Sequence, residues 1–391
     1  MIRVGFIFGF NNQWIGGINY YRSLFSAIMV LPERKIHPVI ITSTHSDLLF
    51  LKDFPDIDII RTKMLDKGSI LSWIRIWIKK IFSDDLLIIR FLKKNHIDVL
   101  SHSNYIFHDS TIPTIGWIPD FQHKYLPEYF RDNDITSRDR AFKDICCYSS
   151  RVIFSSVTAK RDAERYYPEY SSRYEVLHFV PAPIDLAEIP DNGVLQKSMV
   201  LLLDTFFVGH HCRGSQKNHI IILEALKILR SQNKVVNVLC SGDTHDYRKP
   251  KYFDSLIDTA TKLGVADNFK VLGVIPYHEL IGLMVNSVSV INPSLFEGWS
   301  TTVEETKSLG IPIILSDIPV HREQNPDKGI FFDPKDAESL ADIMWNMITN
   351  NDNSERDSQI ISANKRCIQQ RFEFGKKYEK IILNFTNSKD S

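Results

Sequence analysis

Short runs rich in β-branched and aromatic residues alternate with longer helical patterns, and the alternation occurs twice. In the first half "IRVGFIF", "HPVIITS", "IDVLSH", "TIGWIP" and "RVIFSS" are separated by stretches such as "INYYRSLFSAIMV". Strands alternating with helices of that length call for a parallel sheet covered on both faces. A proline-rich stretch without periodicity, "FVPAPIDLAEIPDNGV" at 179–194, interrupts the pattern. The same grammar then restarts with "MVLLLD", "VVNVLCSG", "FKVLG", "SVSVIN" and "IPIILSD". The expectation is two doubly wound parallel-sheet α/β domains facing a central crevice, 1–185 and 186–391, with closing helices at 336–350 and 355–385. The last helix, from about 370 to 386, is expected to pack back on the first domain.

At 391 residues the chain exceeds the size at which a single core stops growing, roughly 250–300 residues. Its 47 basic and 47 acidic side chains cancel, so no overall field selects nucleic acid or a strongly acidic partner. The cysteines, 146, 147, 212, 240 and 367, are odd in number and lack C-x-x-C spacing. That fits a reducing compartment, with neither a disulfide framework nor a zinc site. No apolar run approaches the ~20 residues of a spanning helix, and the apolar N-terminus reads as a first strand. The expected location is the cytoplasm.

The densest chemistry lies in "PSLFEGWSTTVEETKSLGIPIILSD", residues 293–317. "SVSVINP" reads as a strand ending at Pro293, and "TTVEETKSL" as a short helix stopped by Gly310 and Pro312. The loop between them sits at the carboxyl end of a parallel strand, where open α/β sheets bind ligands and a helix N-terminus offers N–H groups to an anion. Gly298 allows close backbone approach. Carboxylates at the two ends, Glu297 and Glu305, suit a polyhydroxylated ligand. A plainer account is a capping box, Thr301 with Glu304 or Thr302 with Glu305. The two boxes exclude each other, so capping leaves one glutamate unexplained.

This stretch resembles the "PSxxEGFGxxxxEAxAxGxPVxxSD" signature of retaining glycosyltransferases of family four, which have the GT-B fold. "FKVLGVIPYHELIGLMVNSVSVINPS" (269–294), "KNHIIILEALKIL" (217–229), "GGINYYRSLF" (16–25) and "IGWIPDFQHKYLPEYF" (115–130) resemble further family segments in the right order. The resemblance implies transfer from a nucleotide diphosphate sugar with retention at the anomeric carbon. By position, Glu297 would hold donor-sugar hydroxyls and Glu305 the ribose hydroxyls. Backbone N–H groups around Gly298, Trp299, Ser300 and Thr301 would hold the distal phosphate, while Lys217 and Arg213 would neutralise the departing diphosphate. Such a site needs no metal and no cofactor, in keeping with the lack of a D-x-D tract at a plausible metal position. Three features depart from the family pattern. Arg213 stands four residues before Lys217 instead of five, "GWSTT" replaces "GFGLP", and Pro119–Asp120 replaces His-Asp, leaving His123 as the nearby histidine.

Other candidates have plainer readings beside the functional one. Gly16 and Gly17 suit close approach to a phosphate or an acceptor, or an ordinary turn. Asp120 and His123 follow "TIGWIP" and are expected to reach the crevice. His210, His211 and Cys212 lack a second ligand pair at metal spacing and are assigned to the phosphate loop. In 68–96, Trp73, Ile74, Trp77, Ile78 and Ile81 recur at helical spacing among Arg75, Lys79 and Lys80. That stripe is expected to pack on the sheet as core; the alternative is a helix lying on anionic lipid.

The sequence therefore points to a metal-independent retaining glycosyltransferase, of the hexosyltransferase type, acting in surface polysaccharide or lipopolysaccharide biosynthesis. Its expected partners are a nucleotide sugar donor and a glycan or polyprenyl-linked acceptor, with no nucleic acid; peripheral contact to the inner membrane face through 69–94 is the alternative to packing of that segment as core. A sugar-nucleotide epimerase of the same fold would turn over donor without acceptor, and a non-catalytic sensor would bind without turnover. A nicotinamide oxidoreductase is disfavoured because neither domain's first strand is followed by G-x-G-x-x-G.

Overall fold

Two wholly parallel sheets carry the chain in the computed structural model. It describes residues 1–8, 15–46, 48, 51–103, 107–108, 112–182, 184–185, 205–209, 214–245, 249–350 and 354–386. The chain divides into two compact units. One comprises 1–121, 132–182 and 369–391; the other comprises 122–131 and 183–368. The expected boundary segment, the predicted strand "MVLLLD", and His210, His211, Cys212 and Arg213 lie wholly or largely outside the described residues.

In the first unit the strands are β1 (Ile2–Phe8), β2 (Ile36–Thr42), β3 (Asp58–Arg61), β4 (Val99–Ser101), β5 (Thr114–Ile118), β6 (Arg151–Phe154) and β7 (Tyr174–Val176). They lie in the order β3-β2-β1-β4-β5-β6-β7. The helices of 1–182 are α1 (Ile15–Met29), α2 (Ile70–Phe82), α3 (Leu86–Lys94), α4 (Gln122–Tyr125), α5 (Asp132–Tyr148) and α6 (Val157–Tyr166), of which α4 belongs to the second unit. β1 runs central, with Val4 aligned to both Pro38 of β2 and Val99 of β4. Its near-continuous apolar run reflects burial on both faces.

The second unit contains β8 (Thr205–Val208), β9 (Asn237–Cys240), β10 (Phe269–Val271), β11 (Val290–Asn292), β12 (Ile313–Ser316) and β13 (Gly329–Phe332), in the order β10-β9-β8-β11-β12-β13. Its helices are α7 (His219–Ser231), α8 (Tyr252–Lys262), α9 (Tyr277–Asn286), α10 (Thr301–Leu309), α11 (Pro319–Gln324), α12 (Ala337–Thr349) and the first part of α13 (Arg356–Thr386). Alternate residues feed opposite faces. Phe206, Val208, Ile291 and Ile314 enter one core with Ile222, Leu226 and Met344, whereas Phe207, Val290, Ile313 and Leu315 enter the other with Met284 and Val303. That division is the period of two expressed on a sheet covered on both sides.

Residues 369–386 of α13 belong to the first unit and are bound into it. Tyr378 donates to Ser101 Oγ at 2.8 Å and Arg371 to Ser26 Oγ at 3.0 Å. Gly375 lies so close to α1 that a Cβ there would come 2.2 Å from the Ala27 carbonyl oxygen. Ser101 also lies 2.9 Å from His102 Nδ1, whose Nε2 is 2.7 Å from Tyr20 Oη. Burial pushes His102 down to about 3, so the ring is neutral in this chain of hydrogen bonds.

Two expectations are corrected here. α2 is not core: none of its residues is buried, and Trp73 and Trp77 are 67% and 65% exposed. Toward the protein it turns Ser72, Arg75 and Ile78, and Arg75 pairs with buried Asp85 at 2.9 Å and donates to the Met64 carbonyl. Cys240, at the end of β9, is disulfide-bonded, whereas Cys146, Cys147 and Cys367 are free, so the all-thiol expectation does not hold.

Candidate functional site

The strand order of the second unit reverses between β8 and β11. Chain leaving β8 turns to one side of the sheet and chain leaving β11 to the other, and the gap so opened at their carboxyl ends is where such sheets bind ligands. β8 ends at Gly209, where a Cβ would come 3.0 Å from the Thr302 methyl group, so the backbone passes directly against the start of α10.

Lys217 closes a short 3₁₀ turn, Ser215–Lys217, which opens at Gly214 with φ of +89° and ends at Asn218 with φ of +56°. Asn218 is fixed by a bond from its side chain to the Pro334 carbonyl, and the turn is joined to the β11 loop by Leu295 N–H donating to the Gln216 carbonyl. The result brings Lys217 Nζ to 2.6 Å from Glu297 Oε1. Ser294 Oγ lies 2.7 Å from the same carboxylate oxygen and 2.8 Å from Asn292 Oδ1. Burial pushes the Glu297 carboxyl up, and the Lys217 ammonium with bonds from Lys217 and Ser294 more than offsets it, leaving the group below its ordinary range. It is a stable anion holding a cation in place.

The start of α10 is organised differently from either expected capping box. Ser300 is the N-cap and its hydroxyl accepts from Val303 N–H, so the third helical position carries a valine and neither Thr301–Glu304 nor Thr302–Glu305 forms a box. Asn292 at the end of β11 donates to Ser300 Oγ at 2.8 Å. Gln324 completes the frame: its Oε1 accepts from Ser300 N–H, and its Nε2 reaches both the Ser300 carbonyl and Glu304 Oε1 at 2.9 Å. Glu304 also pairs with Lys307 at 3.0 Å. Thus Glu304 is spent on structure. Glu305, likewise buried, accepts from Tyr277 Oη at 3.1 Å.

The structure thus joins Lys217 to Glu297 and runs Gly298, Trp299, Ser300 and Thr301 onward into the helix that carries Glu305. Residues 122–131 lie in the same unit, with Tyr125 and Phe296 ring centroids 5.3 Å apart and Lys249 Nζ 4.0 Å from the Tyr129 ring and 3.3 Å from Ser215 Oγ. His123 is buried, its ring edge-on to Phe130. Asp120 and Gly17 belong to the other unit, and Gly17 sits in the first turn of α1. Arg213 lies outside the described residues.

Sequence reasoning missed His321, Gln324, Asn292, Ser294 and Tyr277. His321 is fully buried, with Nδ1 2.8 Å from the Ser316 carbonyl. Burial holds its ring below the ordinary range, while Glu297 and the Ser316 carbonyl pull upward and Lys217 pulls down. Neutral imidazole with Nδ1–H on that carbonyl leaves Nε2 as a buried acceptor with no partner among the described residues. The available signal was the "SD" of the 293–317 stretch, which could have been followed four residues further to His321.

Among described residues no group of histidine, cysteine or acidic side chains is arranged to hold a metal ion. The site offers a lysine, a clamped carboxylate, a helix N-terminus and a second carboxylate, which together suit an anion bearing hydroxyl groups.

Residues 205–366 match the family model described as Glycosyl transferases group 1. No curated protein matches the chain. Among solved structures it is similar to Anabaena HepE in complex with UDP-glucose, with a TM-score of 0.69 and 15% identity over 99% of this chain and 100% of that one. It is also similar to the lipopolysaccharide outer core galactosyltransferase WaaB (TM-score 0.62, 15% identity, 98% and 99% covered). WaaG, a glycosyltransferase involved in lipopolysaccharide biosynthesis, gives 0.61 at 16% identity, with 97% and 99% covered. At such identities the likeness is one of fold. The fold is GT-B: two parallel-sheet α/β units, with the match to the group 1 glycosyl transferase model confined to the second.

Proposed function

We propose that this chain, a glycosyltransferase, moves a sugar from a nucleotide diphosphate sugar to a hydroxyl of a glycan or lipid-linked glycan acceptor, with retention at the anomeric carbon and without a metal ion. The Lys217–Glu297 pair beside the start of α10, at the strand-order reversal, carries this reading. The donor diphosphate lies against the N–H groups around Gly298–Thr301, with Lys217 on its oxygens and Arg213 assisting. Glu297 holds donor-sugar hydroxyls and Glu305 holds the ribose. Asp120 and His123, in the segment that resembles the one closing the donor site, are assigned to the donor sugar, His123 through support of the 122–131 segment.

The acceptor hydroxyl attacks the anomeric carbon on the face from which the phosphate departs. The carbon–phosphate-oxygen bond breaks, the new glycosidic bond forms, and the hydroxyl proton passes to the departing phosphate oxygen. Charge develops on the leaving diphosphate, and a cation with prearranged dipoles stabilises it more in the transition state than in the ground state. Glu297 keeps the lysine aimed. Structures of similar fold bearing UDP-glucose, or concerned with lipopolysaccharide biosynthesis, favour a uridine donor and surface-glycan assembly.

The test is a thermal-shift panel of UDP, GDP, ADP and their sugars, followed by product stereochemistry with and without EDTA. Stabilisation by one nucleotide series, lost in Glu305→Ala, and an anomerically retained product in EDTA are expected. No stabilisation by any member, or an inverted product, overturns the proposal. Donor conversion without acceptor would identify an epimerase, and binding without turnover a sensor.

A further inference from the structure

α2 lies with Ser72, Arg75 and Ile78 toward the protein and its other apolar side chains, with Lys79 and Lys80, toward solvent. Ser69 caps the helix, and Arg75 anchors it by pairing with Asp85 and donating to the Met64 carbonyl. Ile70, Ile74, Trp77 and Ile81 recur at helical spacing along the outward face, flanked by Trp73 and Phe82, and all six are exposed. A helix so held leaves an apolar strip in water, and such a strip marks an interaction surface.

The charges around it are sorted by sign. From Lys63 to Lys94 the exposed ionisable side chains are Lys63, Lys67, Lys79, Lys80, Arg90, Lys93 and Lys94, all positive. The three acids in that stretch are buried and engaged: Asp66 by Thr44, Asp84 by the His108 N–H, and Asp85 by Arg75. Composition alone shows acids interspersed with bases here; the fold withdraws every one of them from the surface. A second copy of the chain would set this basic field against itself, which disfavours self-association.

We propose that α2 is a membrane-docking helix that lies in the headgroup region of an anionic phospholipid bilayer, its strip of Trp, Ile and Phe inserted and its surrounding lysines and arginine on lipid phosphates. The helix is 13 residues, about 20 Å, and among described residues no helix is long and apolar enough to cross a membrane, so it lies on the bilayer and does not span it. Tryptophan suits that depth because its ring is apolar and its N–H stays hydrated. The surface is independent of the transfer chemistry, which uses no residue of this helix. It would bring the catalyst to any lipid-borne acceptor.

The test is flotation of the full-length protein with vesicles of phosphatidylcholine alone and of phosphatidylcholine mixed with phosphatidylglycerol, with tryptophan emission read in parallel. Wild type is expected to float only with the anionic vesicles, with blue-shifted emission and reduced binding in high salt. Lys79→Glu with Lys80→Glu should weaken partition by roughly tenfold or more, since each basic residue near such a surface contributes about fivefold. Trp73→Ser with Trp77→Ser should abolish the blue shift while leaving the melting temperature near wild type, because both side chains are exposed. Absence of flotation with either vesicle, or flotation of both variants like wild type, overturns the proposal. So does a dimer in light scattering without lipid that Trp73→Ser with Trp77→Ser dissolves. Nucleotide-sugar turnover measured without vesicles stays unchanged in the variants, so failure of the transfer reading and failure of this one are separately visible.

Discussion

Lys217 Nζ sits 2.6 Å from Glu297 Oε1, across 80 residues of sequence. The lysine is a candidate for stabilising the leaving group, and the glutamate orients it. Lys217→Met is expected to lower kcat by about 10²-fold or more with a smaller effect on acceptor KM, because charge stabilisation acts on the transition state. Steady-state kinetics with the preferred donor check this.

The same pair carries a pH signature. Glu297 is held lower in the folded chain than its unfolded value of about 4.3, so its ionisation stabilises the fold above that pH. The contribution is lost as pH falls through the folded value. Lys217→Met is therefore expected to be less stable than wild type by about 2 kcal/mol near pH 7, a half-buried pair losing less than a fully buried one. The gap should close as pH drops below about 4. Urea denaturation at stepped pH measures it.

Gln324 satisfies Ser300 N–H, the Ser300 carbonyl and Glu304 together. Gln324→Ala leaves buried polar groups without partners and should cost about 1–3 kcal/mol. Since Ser300 also caps α10, donor KM should rise together with the loss of stability. Chemical denaturation and donor titration on one preparation test the linkage.

Tyr277 donates to Glu305, the proposed ribose ligand. Tyr277→Phe should raise donor KM by roughly three- to tenfold, the worth of one hydrogen bond, with little change in kcat. It should also reduce discrimination against a 2′-deoxynucleotide donor. Equal discrimination by wild type and variant would detach Tyr277 from that site.

Gly375 has no room for a methyl group against the Ala27 carbonyl. Gly375→Ala should destabilise the first unit by about 1–3 kcal/mol through displacement of the α13 backbone. Thermal melts should register the loss with nucleotide binding unchanged.

Much of this architecture was legible because central strands advertise themselves. The expected runs around β1, β2, β5, β6, β9 and β12 are buried on both faces and read as unbroken apolar segments. β3, β7 and β13 were not anticipated, and all three are sheet edges with mixed burial; β8, central and buried, was also missed, the expected run ending at Asp204 just before it. Half-exposed segments of three or four residues carry too little periodicity to be told from loops. In the site, Glu297, Lys217 and Glu305 stood out by residue type and neighbourhood. His321, Gln324 and Tyr277 did not, since their relevance comes from contacts made through the fold. α2 misled for a related reason: periodicity reports that a helix has an apolar face but says nothing of which way that face is turned.

The strand order of the second unit also bears on how the protein is made. β8 pairs with β11, which is synthesised only after β9 and β10, so the two sides of the site join late in translation. Until Glu297 has left the ribosome, Lys217 has no partner carboxylate and the start of α10 does not exist. Pairings of such long sequence separation form slowly, because the loop entropy is spent before the contact is made. A chain truncated before β11 would contain Lys217 and most of a sheet but have no site, and ribosome-stalled chains of increasing length should acquire nucleotide binding abruptly, at the length that frees α10.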